Sequence, residues 1–315
     1  MNYRLRLGLK GIIVVIIHLN QIIPMKKCIT TVYYLVDNFC RIFHEWEKEK
    51  LLPSSKMRHR DGNLGLAELL TIVLYFYLSP CKDFKNYYLY FLPAKYTNYF
   101  KLVSYSRIIQ LWPSLILPLV ILIHQLKGEQ TGLYFIDSTK LQICHNKRTS
   151  SNKVFGKKAK IGRSSYGWFM GFKLHLIINN KGNIMAIKIT KGNKSDLSVA
   201  GYLSKGLTGK LFGDKGYISR ELFDKLYARD LRLFTGIRKD MKNHLLEIED
   251  KLLMRKRSLI ESVFNVLKNR MNLEHTRHRS PMNFLVHIIA CIVSYAVSKL
   301  NNFDHFISNS KLSLS

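Results

Sequence analysis

Three carboxylates constrain how this chain can fold, because each stands in a segment whose pattern favours an uncharged residue. Asp137 interrupts the apolar run at residues 133–141, and Asp214 follows a second apolar run at residues 211–213. Glu261 lies in a helical pattern at residues 257–268. A carboxylate in apolar surroundings is costly unless a cation or hydrogen bonds stabilise it. We therefore expect the three side chains to meet at a divalent-metal site.

The charge of the chain indicates a polyanionic partner. Its 315 residues include 50 Lys and Arg against 21 Asp and Glu, a formal net charge of +29. Such a charge attracts nucleic acid or an acidic membrane surface. No apolar stretch reaches the roughly 20 residues that span a bilayer, so DNA is the expected partner and no membrane is expected. Five scattered cysteines without a CxxC pair favour a reducing cytoplasm over a disulfide framework.

The pattern along the chain predicts an N-terminal extension, two domains and a tail. Residues 1–24 precede a second possible start at Met25 and are interpreted as a dispensable extension. Residues 25–128 read as mostly helical, with an amphipathic helix at residues 29–46 and a second helix at residues 64–78. Residues 129–300 form the second predicted domain, and residues 301–315 form a C-terminal tail.

From residue 133 onward, short strands alternate with helices. Residues 171–178 and 184–190 flank a turn at residues 179–182 and predict a hairpin. A helix at 196–203, a strand at 210–213, a helix at 220–228 and a strand at 231–237 follow. Long helices are predicted at 252–272 and 283–300. The order predicts an α/β fold with a mixed sheet flanked by helices.

A basic segment lies between Asp137 and Asp196, an interval with no acidic residue. Eight cations without compensating acids repel one another, which favours phosphate contact over a solvated loop. Tyr166 and Trp168 follow and are suited either to stacking on a base or to burial. The cations are Lys140, Lys147, Arg148, Lys153, Lys157, Lys158, Lys160 and Arg163.

The three carboxylates suit magnesium chemistry. Mg²⁺ prefers oxygen ligands and is usually held by a few carboxylates together with substrate phosphates. Two such ions roughly 4 Å apart can clamp an in-line phosphoryl displacement. Asp137 and Asp214 would converge from neighbouring strands, with Glu261 reaching in from a helix. On that helix Arg257, Glu261 and Lys268 form one band beside the apolar stripe.

Here the chain resembles the DDE transposases of bacterial insertion sequences. The spacing Arg257-(3)-Glu261-(6)-Lys268 matches their glutamate signature, and the segments at 137–139 and 213–217 match their aspartate motifs. Residues 167–175 and 274–281 resemble the insertion sequence 982 branch in particular. Met254 stands where the broader signature carries a tyrosine.

This resemblance implies an RNase H-like catalytic domain, an N-terminal helical DNA-binding region, and a metal-binding triad of Asp137, Asp214 and Glu261. It implies two Mg²⁺ ions, for which Mn²⁺ can substitute, and phosphate contacts by Arg257 and Lys268. It also implies cleavage at terminal inverted repeats, strand transfer into target DNA, and a homo-oligomer that synapses the ends. The location implied is the bacterial cytoplasm, associated with the nucleoid.

Several alternatives stay open at this point. A metal-dependent nuclease of the same fold would cut without joining, and a DNA-binding remnant would do neither. Glu247, Glu249 or Asp250 could replace Glu261 as third ligand, although their clustering favours an exposed helical face. His275 and His278 lack further zinc ligands, and Asp196 is interpreted as a helix or turn cap.

Overall fold

The computed structural model describes residues 27–50, 62–156, 158–164, 167–237, 247–274 and 278–300. Within these ranges the chain forms two compact units. The sheet unit comprises residues 127–268 and Glu274, and the helical unit comprises residues 27–126, 269–273 and 278–300. The predicted extension at 1–24 and the tail at 301–315 lie outside the described residues. The helix at 281–299, expected within the second domain, groups with the helical unit.

The helical unit contains α1 (Ile29–Lys50), α2 (Leu66–Leu78), α3 (Phe84–Asn86), α4 (Leu92–Tyr96), α5 (Tyr105–Leu111) and α6 (Ile116–Gln125). Helix α1 buries the predicted stripe of Val32, Leu35, Val36, Phe39 and Phe43. Ser104 caps α5, its Oγ accepting from the Arg107 N–H at 3.3 Å. A π-helical turn, Tyr87–Phe91, buries Tyr87 and Tyr88, whereas Tyr90 is exposed.

Two helical stretches of this unit are long and apolar enough to cross a membrane by length and composition alone. They are Tyr105–Gln125 and Pro281–Lys299, and the most apolar windows are 44% and 78% buried. The core helix of a protein passes the same test, so the finding is weak evidence for a membrane segment. The second stretch does not stand out in the sequence, because His287, Ser294 and Ser298 interrupt its apolar residues.

The sheet unit is built on a six-stranded mixed sheet. Its strands are β1 (Leu133–Gln142), β2 (Lys160–Ser164), β3 (Gly167–Asn179), β4 (Ile184–Lys191), β5 (Gly209–Gly213) and β6 (Leu231–Thr235). Strand β3 pairs antiparallel with β1, β2 and β4, whereas β5 pairs parallel with both β1 and β6. The predicted hairpin is therefore present as β3 and β4. The mixed α/β architecture is also as predicted.

Strand β2 is an addition to the predicted topology. Lysines and glycines dominate the segment before Arg163, and this composition predicts a loop. Gly162 allows the strand to form, since a Cβ there would lie 2.1 Å from the Gly192 carbonyl oxygen. Upstream, Phe155 and Ala159 are buried, and the Phe155 ring packs edge-on against Phe172. The basic segment is thus anchored to the sheet by apolar residues.

One face of the sheet packs against α7 (Leu197–Leu203) and α8 (Arg220–Tyr227). Tyr134 and Ile136 of β1 point to this α7–α8 face, where they meet Val199 and Leu222 in a common apolar core. Because successive side chains of a strand alternate between faces, Phe135 and Asp137 point to the other side. There the Phe212 ring lies between those of Phe135 and Phe234.

The predicted long helix at 252–272 is divided in the structure. Helix α9 (Ile248–Arg255) ends at a turn through Lys256 and Arg257, and α10 (Ser258–Asn265) follows. A π-helical turn, Val266–Arg270, then widens the backbone. The apolar stripe is nevertheless buried as predicted, with Ile260, Phe264, Leu267 and Met271 each less than a tenth exposed. The last helix is α11 (Pro281–Lys299), close to its predicted range.

Candidate active site

Two neighbouring strands bring Asp137 and Asp214 to the same part of the sheet. Asp137 lies in the middle of β1, and Asp214 directly follows β5. The parallel register pairs Phe135 with Phe212, so two residues further along Asp137 and Asp214 lie side by side. Each carboxylate accepts a hydrogen bond from the next backbone N–H, which for Asp137 is that of Ser138 at 2.7 Å.

Arg257 connects Asp137 to the helix-borne glutamate. Its Nη1 lies 3.5 Å from Asp137 Oδ2, and its Nη2 lies 2.9 Å from Glu261 Oε1. Helix α10 packs against β1, and Glu261 stands in the first turn of that helix, where the helix dipole favours a negative charge. The signature spacing Arg257-(3)-Glu261 thus places both side chains over the strand aspartate.

The electrostatics of Asp137 show that the three carboxylates are neighbours. The pKa of Asp137 is raised to about 6, chiefly by burial, and the negative charges of Asp214 and Glu261 contribute to the increase. The Ser138 N–H and the Arg257 guanidinium oppose this increase. Side chains so far apart in sequence influence one another only if the fold brings them together. The three carboxylates therefore lie within electrostatic range of one another, and their binding of a common metal ion remains a prediction.

The donor set suits a hard divalent cation, although no complete metal cage is formed. Among the described residues, no group of three or more His, Cys, Asp and Glu side chains is arranged to hold a metal ion. Mg²⁺ does not require one, because it keeps several waters and takes few protein carboxylates together with substrate oxygens. Asp137, Asp214 and Glu261 offer only such carboxylate oxygens, and Asp214 and Glu261 are exposed.

Lys268 is paired with an acidic residue outside the predicted band. It stands on the π-helical turn, and its Nζ is 3.3 Å from Glu274 Oε2. The prediction assumed 3.6 residues per turn throughout, whereas the π-helical turn changes the angular position of every later residue. Its proposed phosphate contact remains a prediction.

One of the alternative third ligands, Asp250, has another role. Asp250 is 5% exposed, and its Oδ1 accepts from Lys210 Nζ at 2.6 Å, which ties α9 to β5. The interpretation of this cluster as an exposed face is therefore wrong for Asp250, although Glu247 and Glu249 are exposed. The local pattern could not reveal this, because Lys210 lies 40 residues away.

His278, one of the two histidines considered for zinc, is not part of a metal-binding group within the described residues. His278 packs its ring against Phe284 and His287, with centroid separations of 5.3 Å and 4.8 Å. His275 lies outside the described residues.

In the basic segment, most of the side chains predicted to contact phosphate are exposed to solvent. Lys153, Lys158, Lys160 and Arg163 are exposed, and none of them is in an ion pair within the described part of the chain. Lys157 and Tyr166 lie outside the described residues. Trp168 is 62% exposed, with the Arg163 guanidinium 5.8 Å from its ring, so the burial alternative is wrong for this residue.

Asp196 does not act as the predicted cap. It occupies the position before α7, but its side chain makes no capping hydrogen bond. Its Oδ1 instead lies 3.1 Å from Lys173 Nζ and 3.7 Å from His175 Nδ1. Sequence reasoning missed His175 and Tyr217 as polar residues near the site. Their only signals were a histidine inside a strand and a tyrosine three residues after Asp214.

The raised pKa of Asp137 predicts a pH-dependent stability of the metal-free protein. The pKa is about 6 in the folded chain against an ordinary value of 3.8. The protonated carboxyl therefore contributes stability that is complete below pH 3.8 and lost as the pH rises through 6. In urea unfolding with chelator, wild type should lose about 2–3 kcal/mol between pH 4 and 8 relative to Asp137→Asn. Parallel pH profiles of the two proteins would show that Asp137 is not buried as described.

Comparison with known proteins identifies the region that carries this site. Residues 127–281, just under half of the chain, match the family model of the transposase DDE domain. No match was found among curated proteins. A cryo-EM structure of a piggyBac transposase synaptic complex with hairpin DNA aligns at 12% identity and a TM-score of 0.44. That alignment covers 89% of this chain and 78% of the other, and at this score it carries no argument. The family match spans all three converged carboxylates and supports a DDE transposase.

Proposed function

We propose that this chain is the transposase of an insertion sequence, resembling the insertion sequence 982 branch, which cleaves DNA at the ends of its element and joins them to target DNA. The convergence of Asp137, Asp214 and Glu261 within the region matched to a transposase DDE domain carries the proposal. The mixed sheet, with β4–β3–β1 antiparallel and β1–β5–β6 parallel, agrees with the RNase H-like domain that the resemblance implies.

The proposed reaction is two phosphoryl transfers at one site. In the first, a water oxygen attacks the scissile phosphorus, the bond from phosphorus to the 3′ oxygen breaks, and a 3′-OH and a 5′-phosphate are left. In the second, that 3′-OH attacks a target phosphodiester and displaces another 3′ oxygen. No external oxidant or energy source is required, because each step exchanges one phosphodiester or water oxygen for another.

The chain's own residues would position the DNA for these steps. Asp137, Asp214 and Glu261 would hold two Mg²⁺ ions, or Mn²⁺ in their place, which when bound polarise the scissile phosphate and lower the pKa of water. Arg257 already faces Asp137 and Glu261, and we assign it a phosphate contact beside them. We assign Lys268 a second phosphate contact on the same resemblance.

DNA binding is proposed for both units. In the sheet unit, the exposed cations of the basic segment would follow the phosphate backbone. The helical unit would contribute to binding the terminal inverted repeats, as the resemblance implies. A homo-oligomer would hold two ends together, and the protein would act in the bacterial cytoplasm on the nucleoid.

Removing any one carboxylate tests the catalytic proposal. Asp137→Asn, Asp214→Asn and Glu261→Gln should each reduce cleavage of a cognate end in Mg²⁺ by at least about 1,000-fold, since each removes a charge that stabilises the transition state. Binding of the same DNA should be retained or become tighter, because a negative charge is removed. Glu249→Gln, an exposed neighbour, is the matched control and should cleave like wild type.

Substantial cleavage by any of the three variants would remove that residue from the site. If wild type cleaves but gives no strand-transfer product, the protein is a nuclease of this fold. If it binds ends without cleaving, it is a DNA-binding remnant.

The basic segment makes a separate prediction about salt. Replacing Lys153, Lys158 and Lys160 by Gln should reduce the log–log salt slope of DNA binding by about 0.9 for each phosphate that the segment no longer neutralises. The control replaces three exposed lysines elsewhere in the sheet unit, Lys205, Lys225 and Lys251. Equal salt slopes for the two triple variants would show that the basic segment is an ordinary solvated surface without phosphate contacts of its own.

A further inference from the structure

Asp196 precedes helix α7 but does not cap it. It precedes α7 in a helical backbone conformation, with φ −66° and ψ −34°, and makes no capping bond. Ser195 takes over, since its Oγ accepts from the Ser198 N–H at 3.3 Å and its carbonyl accepts from the Ser198 hydroxyl at 2.8 Å. The Asp196 carboxylate is thereby available for contacts with the sheet.

Those contacts lie on the α7–α8 face of strand β3. Asp196 Oδ1 is 3.1 Å from Lys173 Nζ and 3.7 Å from His175 Nδ1, while the two side chains are 14% and 1% exposed. Lys173 is largely shielded from solvent, and an opposite charge offsets the cost of removing its ammonium group from water. Asp196 supplies that charge and holds the start of α7 to β3.

His175 lies directly behind the catalytic strand. It pairs with Ser138 across the antiparallel ladder, so it is adjacent to Asp137 but on the opposite face. Burial and the charges of Lys173 and Lys188 lower its pKa to about 4 against the opposing effect of Asp196, so its ring is neutral at neutral pH. Its Nε2 is 2.8 Å from Thr190 Oγ1, whereas its buried Nδ1 has no hydrogen-bond partner in the described residues.

Tyr217, in the turn that follows β5, also lies on the α7–α8 face. Its ring lies over Gly213, where a Cβ would be 3.0 Å from Tyr217 Cδ2 and 3.1 Å from Ile136 Cγ2. Gly213 and Ile136 immediately precede Asp214 and Asp137. Helix α7 packs against the turn that contains Tyr217. The buried Tyr217 hydroxyl also lacks a hydrogen-bond partner within the described part of the chain.

The charges around Tyr217 agree with this placement. Burial raises its pKa, and the negative charges of Asp196, then Asp137, then Asp214 add to the effect. Tyr217 is therefore within electrostatic range of Asp196 as well as of the two strand carboxylates, and it lies in the same apolar core as Ile136 and Val199. Two buried polar atoms without a hydrogen-bond partner among the described residues, His175 Nδ1 and Tyr217 Oη, therefore lie on the α7–α8 face behind the site, and His175 Nδ1 is 3.7 Å from Asp196 Oδ1.

We propose that Asp196 is a positioning residue. It holds the strands that present Asp137 and Asp214 in place from the α7–α8 face, acting through Lys173, His175 and Tyr217. The proposal rests on the proposed function for its catalytic consequence. Its structural content is independent, because the contacts of Asp196 with Lys173 and His175 are present without DNA or metal. Asp196 itself touches neither DNA nor metal in this account.

The test compares Asp196→Asn with Ser195→Ala in the full-length chain. Supporting residues behind a metal site typically change metal affinity or activity by about 10–100-fold. Asp196→Asn should weaken Mn²⁺ binding, followed by electron paramagnetic resonance, by about tenfold, and should slow single-turnover cleavage while leaving the Kd for end DNA unchanged. Ser195→Ala removes only the cap, so it should lower the Tm without changing Mn²⁺ affinity.

Tyr217→Phe keeps the ring and removes the hydroxyl, which guards against misfolding of Asp196→Asn. If the hydroxyl only fills space, its removal should be neutral or stabilising, since a buried polar atom without a partner is costly, and Mn²⁺ affinity should not change. If it positions the strands, Mn²⁺ affinity should fall although the Tm does not. Wild-type Mn²⁺ affinity in both Asp196→Asn and Tyr217→Phe would overturn the proposal.

The outcomes separate this inference from the proposed function. If wild type binds Mn²⁺ but does not cleave, the transposase assignment fails while the Mn²⁺ measurements still decide the role of Asp196. If wild type cleaves and both variants cleave equally fast, the assignment stands and the positioning role is wrong.

Discussion

The contact of Arg257 with two carboxylates is the interaction on which the candidate site depends. The guanidinium reaches Asp137 on a strand and Glu261 on a helix, at 3.5 Å and 2.9 Å. Without a cation between them, two carboxylates in a partly buried site would repel each other. The sheet supplies the third carboxylate through the parallel register of β1 and β5. Strand pairing and one arginine together account for why residues at 137, 214 and 261 share one environment.

The two faces of the sheet carry different parts of this arrangement. One presents Asp137, Asp214 and the helix that bears Glu261. The α7–α8 face holds the apolar core together with the buried His175 and Tyr217 and the partly buried Lys173. Such polar groups lower stability unless they are paired, and here Asp196 meets that requirement for the lysine. The pairing with Asp196 thus explains how the lysine is tolerated behind the catalytic strands. The proposed positioning role explains what this pair contributes to function.

Much of this could be predicted from sequence because the signals are local. Alternating residues predicted the β3–β4 hairpin, an apolar run interrupted by Asp137 predicted β1, and an apolar run followed by Asp214 predicted β5. Strand β2 was missed because its lysines and glycines lack alternation, and Gly162 matters only through a backbone contact with Gly192. The break at Arg257 and the π-helical turn were missed because helical periodicity continues across them. The partners of Asp250 and Asp196 could not be predicted, because an ion pair between residues distant in sequence does not affect the local sequence pattern.

The central claim, that the three carboxylates bind one metal centre, can be tested by mapping where a bound metal ion cuts the protein. Fe²⁺ loaded in place of Mg²⁺, with ascorbate and peroxide, generates hydroxyl radicals that cleave nearby backbone. The account predicts simultaneous cuts around residues 137, 214 and 261, all suppressed by excess Mg²⁺ and absent in Asp137→Asn. Cuts at only one of these segments, or cuts that Mg²⁺ does not suppress, would contradict it.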